Sequence, residues 1–204
     1  AKGLDALQHR VDAVQVQTPA PTEAVVTVRT RVAPPVQAQG FVCVYTCHVY
    51  GNGEVRMAVD LTPEGDWGQT LPRVGLQMAM LDLFEHVTWY GRGPGECYRD
   101  SKQAGRVGVH RRTVDELFTP YVLPQHCGNR TDTRWVALQN LRGLGLLVSG
   151  DELFDFSARR YTEEDLEAAA HTAELTPRSE VVVNVDHRHM GIGSGSCGPA
   201  TLPQ

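Results

Sequence analysis

What most constrains this chain is apolar alternation with a period of two, repeated along almost its whole length. In EAVVTVRTRV (23–32), Val26, Val28 and Val32 fall on one face and Arg29 and Arg31 on the other, the pattern of a half-buried strand. VDAVQVQ (11–17) precedes it across a TPAPT turn. FVCVYTCHVY (41–50) and EVRMAVDL (54–61) flank Gly51, Asn52 and Gly53, a strong hairpin signal. VGLQMAML (74–81), EHVTWY (85–90), RWVALQNL (134–141), GLGLLVSG (143–150) and EVVVNVD (180–186) read in the same way. Against these strands stands one short helix near 162–175. Thr162 is its N-cap, acids follow at 163–165, and Leu166, Ala169, Ala170 and Ala173 recur at helical spacing before Pro177. Many strands, frequent Gly and Pro turns and one helix predict an all-β, antiparallel sandwich rather than a βαβ fold. The stretch 91–133 is long, polar and rich in Gly and Pro, as loops that cover or build a site are.

Bulk properties narrow the function. The chain has 204 residues, 41% of them hydrophobic, enough to bury the core of a single domain spanning 1–204. A net charge of −5 without a segregated basic cluster disfavours nucleic acid and anionic membrane as partners. The start AKGLDALQHR has no apolar signal core, and no apolar run approaches the roughly 20 residues of a membrane span. The 5 cysteines form no CxxC pair and leave one over, so a reduced, cytoplasmic setting is expected.

Several chemical signals compete. Gly193, Gly195 and Gly198 spell G-x-G-x-x-G, but Pro199 follows at once and no helix opens there to carry a phosphate, so the match is accidental. Cys197 lies near His187 and His189, yet no cysteine-enzyme signature surrounds it, and fit within a glycine loop is the favoured reading. Cys43 and Cys47 share a strand face about 13 Å apart, too far for a disulfide, and read as core residues. His187 and His189 could share a strand face and bind a metal with Asp186, Cys197 or His126; no ligand set is evident, so no metal site is assigned. Among the non-helical acids near aromatics or arginines, which are Glu96, Asp100, Asp132 and Asp155, nothing pairs any two for glycosidic chemistry. Asp100 and Asp132, beside Arg99 and Arg130, read as loop-pinning ion pairs. Trp89, Tyr90, Tyr98, Tyr121 and Trp135 are either a sugar-stacking surface or core, with about half expected in the core.

Four motifs in order then carry a resemblance. TWYGRGPGECYRD (88–100) resembles the W-x-G-x-G-P-x-E-x-Y-x-D stretch of the large β-galactosidases of glycoside hydrolase family 2, and LPRVGLQ (71–77) resembles the segment before it. FTPYVLPQHCGNRTDTRW (118–135) resembles their T-P-Y-V-x-P-Q-E-x-G-N-R-T-D-x-R-W run. DHRHMGIGSGSCGP (186–199) resembles D-x-x-x-M-G-I-G-G-x-x-S-W-x-P.

The resemblance implies the C-terminal domain of such an enzyme, an antiparallel β-supersandwich like galactose mutarotase. The parent would hydrolyse terminal β-D-galactosides with retention, and its catalytic carboxylates would lie in a central barrel. By the same resemblance no catalytic residue, metal site or cofactor belongs to this chain, and magnesium and sodium are bound by the barrel. The chain is expected to start just after the family's F-x-R-A-P-x-D-N-D segment and to stop short of its last strands. Its partners would be the galactoside, the other domains and further copies of the parent. One site residue carries over. Cys197, with a one-residue gap, occupies a position where the family often has a tryptophan that stacks on the aglycone, which implies a roomier acceptor subsite. His126 and Cys127 also depart from the family's Glu and Asn. The alternative is an autonomous sugar-binding or mutarotase-like sandwich with His110 or His126 working beside Glu96.

Overall fold

The computed structural model describes residues 3–67 and 71–193. The fold is all-β, and among the described residues the antiparallel strands form one four-stranded and one six-stranded sheet. It divides into two compact units, residues 1–70 and 71–204.

The first unit is a meander of β1 (Gln8–Ala20), β2 (Glu23–Ala33), β3 (Gly40–Tyr50) and β4 (Val55–Glu64), paired in that order. Register follows the alternation: Val14 lies opposite Val28, Val28 opposite Tyr45, and Tyr45 opposite Val59, so one face carries the apolar set. The predicted hairpin forms at residues 51–54, with Gly53 at φ 90, where a side chain would be strained. Phe41 stacks on Trp67 with ring centroids 4.5 Å apart. Cys43 is buried and Cys47 half-buried, and both are free thiols.

The second unit contains β5 (Arg73–Leu81), β6 (His86–Gly93), β7 (Arg106–Thr113), α1 (Val114–Leu117), β8 (Arg130–Gln139), β9 (Gly145–Arg159), α2 (Glu163–Ala168) and β10 (Glu180–His189). Its sheet order is β5-β10-β9-β8-β6-β7. Trp89, Val136, Leu138, Phe156, Val181 and Val183 form its core, with Leu117 of α1 closing over them. Trp89 meets Phe156 edge-on at 5.8 Å, and its Nε1 donates to Arg92 O at 2.9 Å.

Three elements differ from the sequence pattern. The helix starts as expected, with a capping box in which Thr162 Oγ1 accepts from Asp165 N and Asp165 Oδ2 accepts from Thr162 N. It ends at Ala168 rather than near 175. Leu166 is the one large side chain it buries, and alanines alone cannot hold further turns against the sheet. The stretch 91–133 contains β7, which alternation did not reveal because it is an edge strand whose Val107 and Val109 stay exposed. β9 runs on past the predicted GLGLLVSG segment to Arg159, because bulges in its pairing with β8 absorb the extra residues.

Candidate functional site

The motifs of the second unit meet at the end of β10. The 96–100 and 127–132 stretches interlock through their backbones. Cys97 N donates to Asn129 O at 2.8 Å, and Asn129 Nδ2 and Thr131 Oγ1 both donate to Cys97 O. Glu96 accepts from Gly128 N at 2.9 Å and from the Tyr121 hydroxyl. The buried Arg130 guanidinium donates to the carbonyls of Gly128 and Pro94 and lies over the Trp89 ring. Burial lowers its pKa to about 10.

Against this frame β10 brings Asp186 and His189. A bulge between Asp186 and Arg188 breaks the strand's alternation, leaving His187 exposed and His189 buried. The two histidines therefore do not share a face, contrary to their i, i+2 spacing. His189 stacks on His126 with centroids 4.5 Å apart and lies 5.5 Å from the Tyr98 ring. His126 Nδ1 is 2.9 Å from Glu163 Oε1, and Arg159 pairs with the same carboxylate and donates to Cys127 O. Arg73 lies 3.6 Å from Glu163 and 3.5 Å from Asp186. His126 thus pairs with Glu163, not with Glu96, and His110 is spent on Arg106 O and the Trp89 ring. A mutarotase-like site needs a histidine and a glutamate free to flank a sugar, and neither predicted pair is so placed.

Burial sets the electrostatics. It pushes Asp186 up to about 6 against the pull of Arg73, and Asp155 likewise to about 6 against its Asn129 hydrogen bond. Burial, with the neighbouring His126, lowers His189 to about 4. Glu163 is also penalised by burial, but the His126 hydrogen bond and the Arg159 charge outweigh that and hold it at about 2. His189, neutral in the fold, contributes stability that is full above pH 6.5 and lost as pH falls toward 4. Asp186 has the opposite sign. The fold keeps its proton up to about pH 6, whereas the unfolded chain releases it near 4, so stability falls as pH rises through that window. Asp186→Asn is therefore expected to be more stable than the wild type at pH 7.5 by about 2 kcal/mol, with the gap narrowing below pH 6 and closing toward pH 4. Thermal melts across this range check it, and a pH-independent difference would contradict the assignment.

The remaining predicted residues are placed as follows. Asp132, at φ 54, accepts from Arg92 and Lys102, each at 2.6 Å, rather than from Arg130. Asp100 pins a loop as expected, but through a backbone group: its Oδ2 accepts from Gly193 N at 2.7 Å. Asp155 is buried against Asn129, so Glu96, Asp100, Asp132 and Asp155 all serve internal contacts. Trp89 and Tyr98 are core, Tyr121 and Trp135 are half-buried, and Tyr90 is exposed beneath Arg134. Cys197, Gly195 and Gly198 lie outside the described residues. Among the described residues no three His, Cys, Asp or Glu side chains are grouped to hold a metal ion. No helix among them is long and apolar enough to cross a membrane.

Two features escaped sequence reasoning. One is the ion network of Arg73, Arg159 and Glu163, which joins Arg73 of β5 to a pair four residues apart at the end of β9 and the start of α2; Arg73 lies inside the LPRVGLQ motif, the one available signal. The other is an open groove of about 270 Å³ lined by Val114, Asp115, Phe118, Arg160, Tyr161 and Pro177. Arg160 is neutralised there by Asp115 and Glu85.

The chain matches, over residues 2–204, the family described as β-galactosidase small chain. It is 42% identical over 142 residues to a β-galactosidase of Vibrio cholerae, covering 70% of this chain and 12% of that protein. It is 36% identical over 151 residues to one of Priestia megaterium, covering 74% of this chain and 14% of that protein. A β-galactosidase of the yeast Kluyveromyces lactis is 33% identical over 183 residues, covering 89% of this chain and 18% of the relative. The chain thus spans less than a fifth of each of these three relatives.

Proposed function

Because the chain belongs to the β-galactosidase small-chain family, we propose that it is a non-catalytic domain of an enzyme hydrolysing terminal β-D-galactosides. The observation that supports this reading is the fate of its carboxylates. Retaining hydrolysis needs two acids flanking one glycosidic bond, whereas Glu96, Asp132, Asp155 and Glu163 are bound into internal contacts. The acid, the nucleophile and the magnesium and sodium ions then belong to other parts of the enzyme. In this reading the 186–199 stretch completes the wall of the substrate pocket, with Cys197 on the aglycone side, and other surfaces serve the remaining domains and the oligomer. The free thiols of Cys43, Cys47, Cys97 and Cys127 fit a reducing cytoplasm.

The test compares the 204-residue chain with the complete enzyme that contains it. The chain alone should not turn over a nitrophenyl galactoside, and the complete enzyme should. In the latter, Cys197→Trp should lower the KM for lactose by restoring an aromatic platform. Turnover by the isolated chain would overturn the reading, and an unchanged KM would remove Cys197 from the pocket.

A further inference from the structure

The exit of the chain from β10 is held on two sides by one tight turn. Residues 98–101 close through Ser101 N donating to Tyr98 O and Tyr98 N donating to Ser101 Oγ, each at 3.0 Å. From this turn Tyr98 reaches inward to the His189 ring, and Asp100 reaches outward to the backbone beyond it. The Asp100 carboxylate accepts from Gly193 N and lies directly against Gly191, where an added Cβ would be 2.2 Å from Asp100 Cγ. Met190 N donates to Pro72 O at 2.9 Å, fixing the segment at its other end. Gly193, at φ 67, supplies the backbone conformation that lets its N–H face the carboxylate. Between these anchors Ile192 is held outward, 39% exposed.

We infer that Asp100 is a positioning residue. Its carboxylate holds the 190–193 turn in the conformation in which that turn walls the galactoside pocket. The inference rests on the family reading above, because it takes its substrate from there. Its physical basis is the strength of a carboxylate bonded to a backbone N–H, a charge-assisted bond that fixes direction as well as distance. A wall displaced by about 1 Å weakens binding of the part of the substrate it touches without changing the groups that break the bond.

In the complete enzyme, Asp100→Ala should raise the KM for lactose roughly tenfold and leave kcat within about twofold. Asp100→Asn keeps an oxygen that accepts from Gly193 N and should recover most of the loss. In the 204-residue chain, Asp100→Ala should accelerate amide exchange at Gly193, while Asp100→Asn should not. Accelerated exchange with an unchanged KM would overturn the inference and leave the family reading standing. Equal damage from both variants, or kcat falling together with the unfolding midpoint, would also overturn it and assign Asp100 a general structural role. Absence of galactosidase activity in the unaltered complete enzyme would remove the family-based function, and this inference with it.

Discussion

Trp89→Ala is expected to lower the stability of the second unit by about 4 kcal/mol, which corresponds to a fall in Tm of about 10 °C or more. Trp89 is 0% exposed, at the centre of the core cluster. Truncation would remove the edge contact to Phe156, the platform beneath Arg130 and the hydrogen bond from Nε1 to Arg92 O. Arg130 would suffer most. Its charge is already disfavoured by burial, and the ring face is one of its few compensations. A loss of less than about 1.5 kcal/mol in a urea titration would show that the cavity refills or that the ring carries little of the packing.

Gly75→Ala should be nearly as damaging, for a different reason. Gly75 pairs with Asp186 across the β5–β10 register, and a Cβ there would lie 2.1 Å from Asp186 Oδ1 and 2.5 Å from Val185 O. A carbonyl and a buried carboxylate cannot both retreat, so the strands must separate locally. The expected cost is about 3 kcal/mol. Among the described residues β5 is an edge strand paired with β10 alone, so the damage should appear as faster amide exchange across residues 73–81. Unchanged protection there would show that the Asp186 side chain has another conformer available.

The pairing of Gly75 with Asp186 is a non-local contact that no local sequence pattern encodes. Both residues lie inside motifs noted in the sequence, LPRVGLQ and DHRHMGIGSGSCGP, but their spacing gives no sign that they touch. The same holds for the site. Proximity in sequence pairs Asp132 with Arg130, yet it bonds to Arg92 and Lys102. The sequence leaves His126 available to Glu96, yet it is bonded to Glu163, 37 residues away. His187 and His189 were separated by a bulge that leaves no mark in the residue types. The partners of Asp132 and His126 are chosen by strand order and register, and both are non-local properties.

The strands were another matter. Alternation placed most of them within a few residues, because a period of two is a local consequence of backbone geometry and of the need to bury one face. Thr162 and the acids after it likewise announced a helix start, since a cap is satisfied within four residues. The edge strand β7 was missed because an edge buries too little to enforce the pattern. By itself, then, the sequence determined the class of fold, the hairpin at Gly53, the helix start and membership of a β-galactosidase family through ordered motifs. Tertiary structure alone decided which charges meet, which histidine is buried and that Asp100 clasps the chain leaving β10. The first set depends on neighbours along the chain, and the second on neighbours that only a folded sheet can bring together.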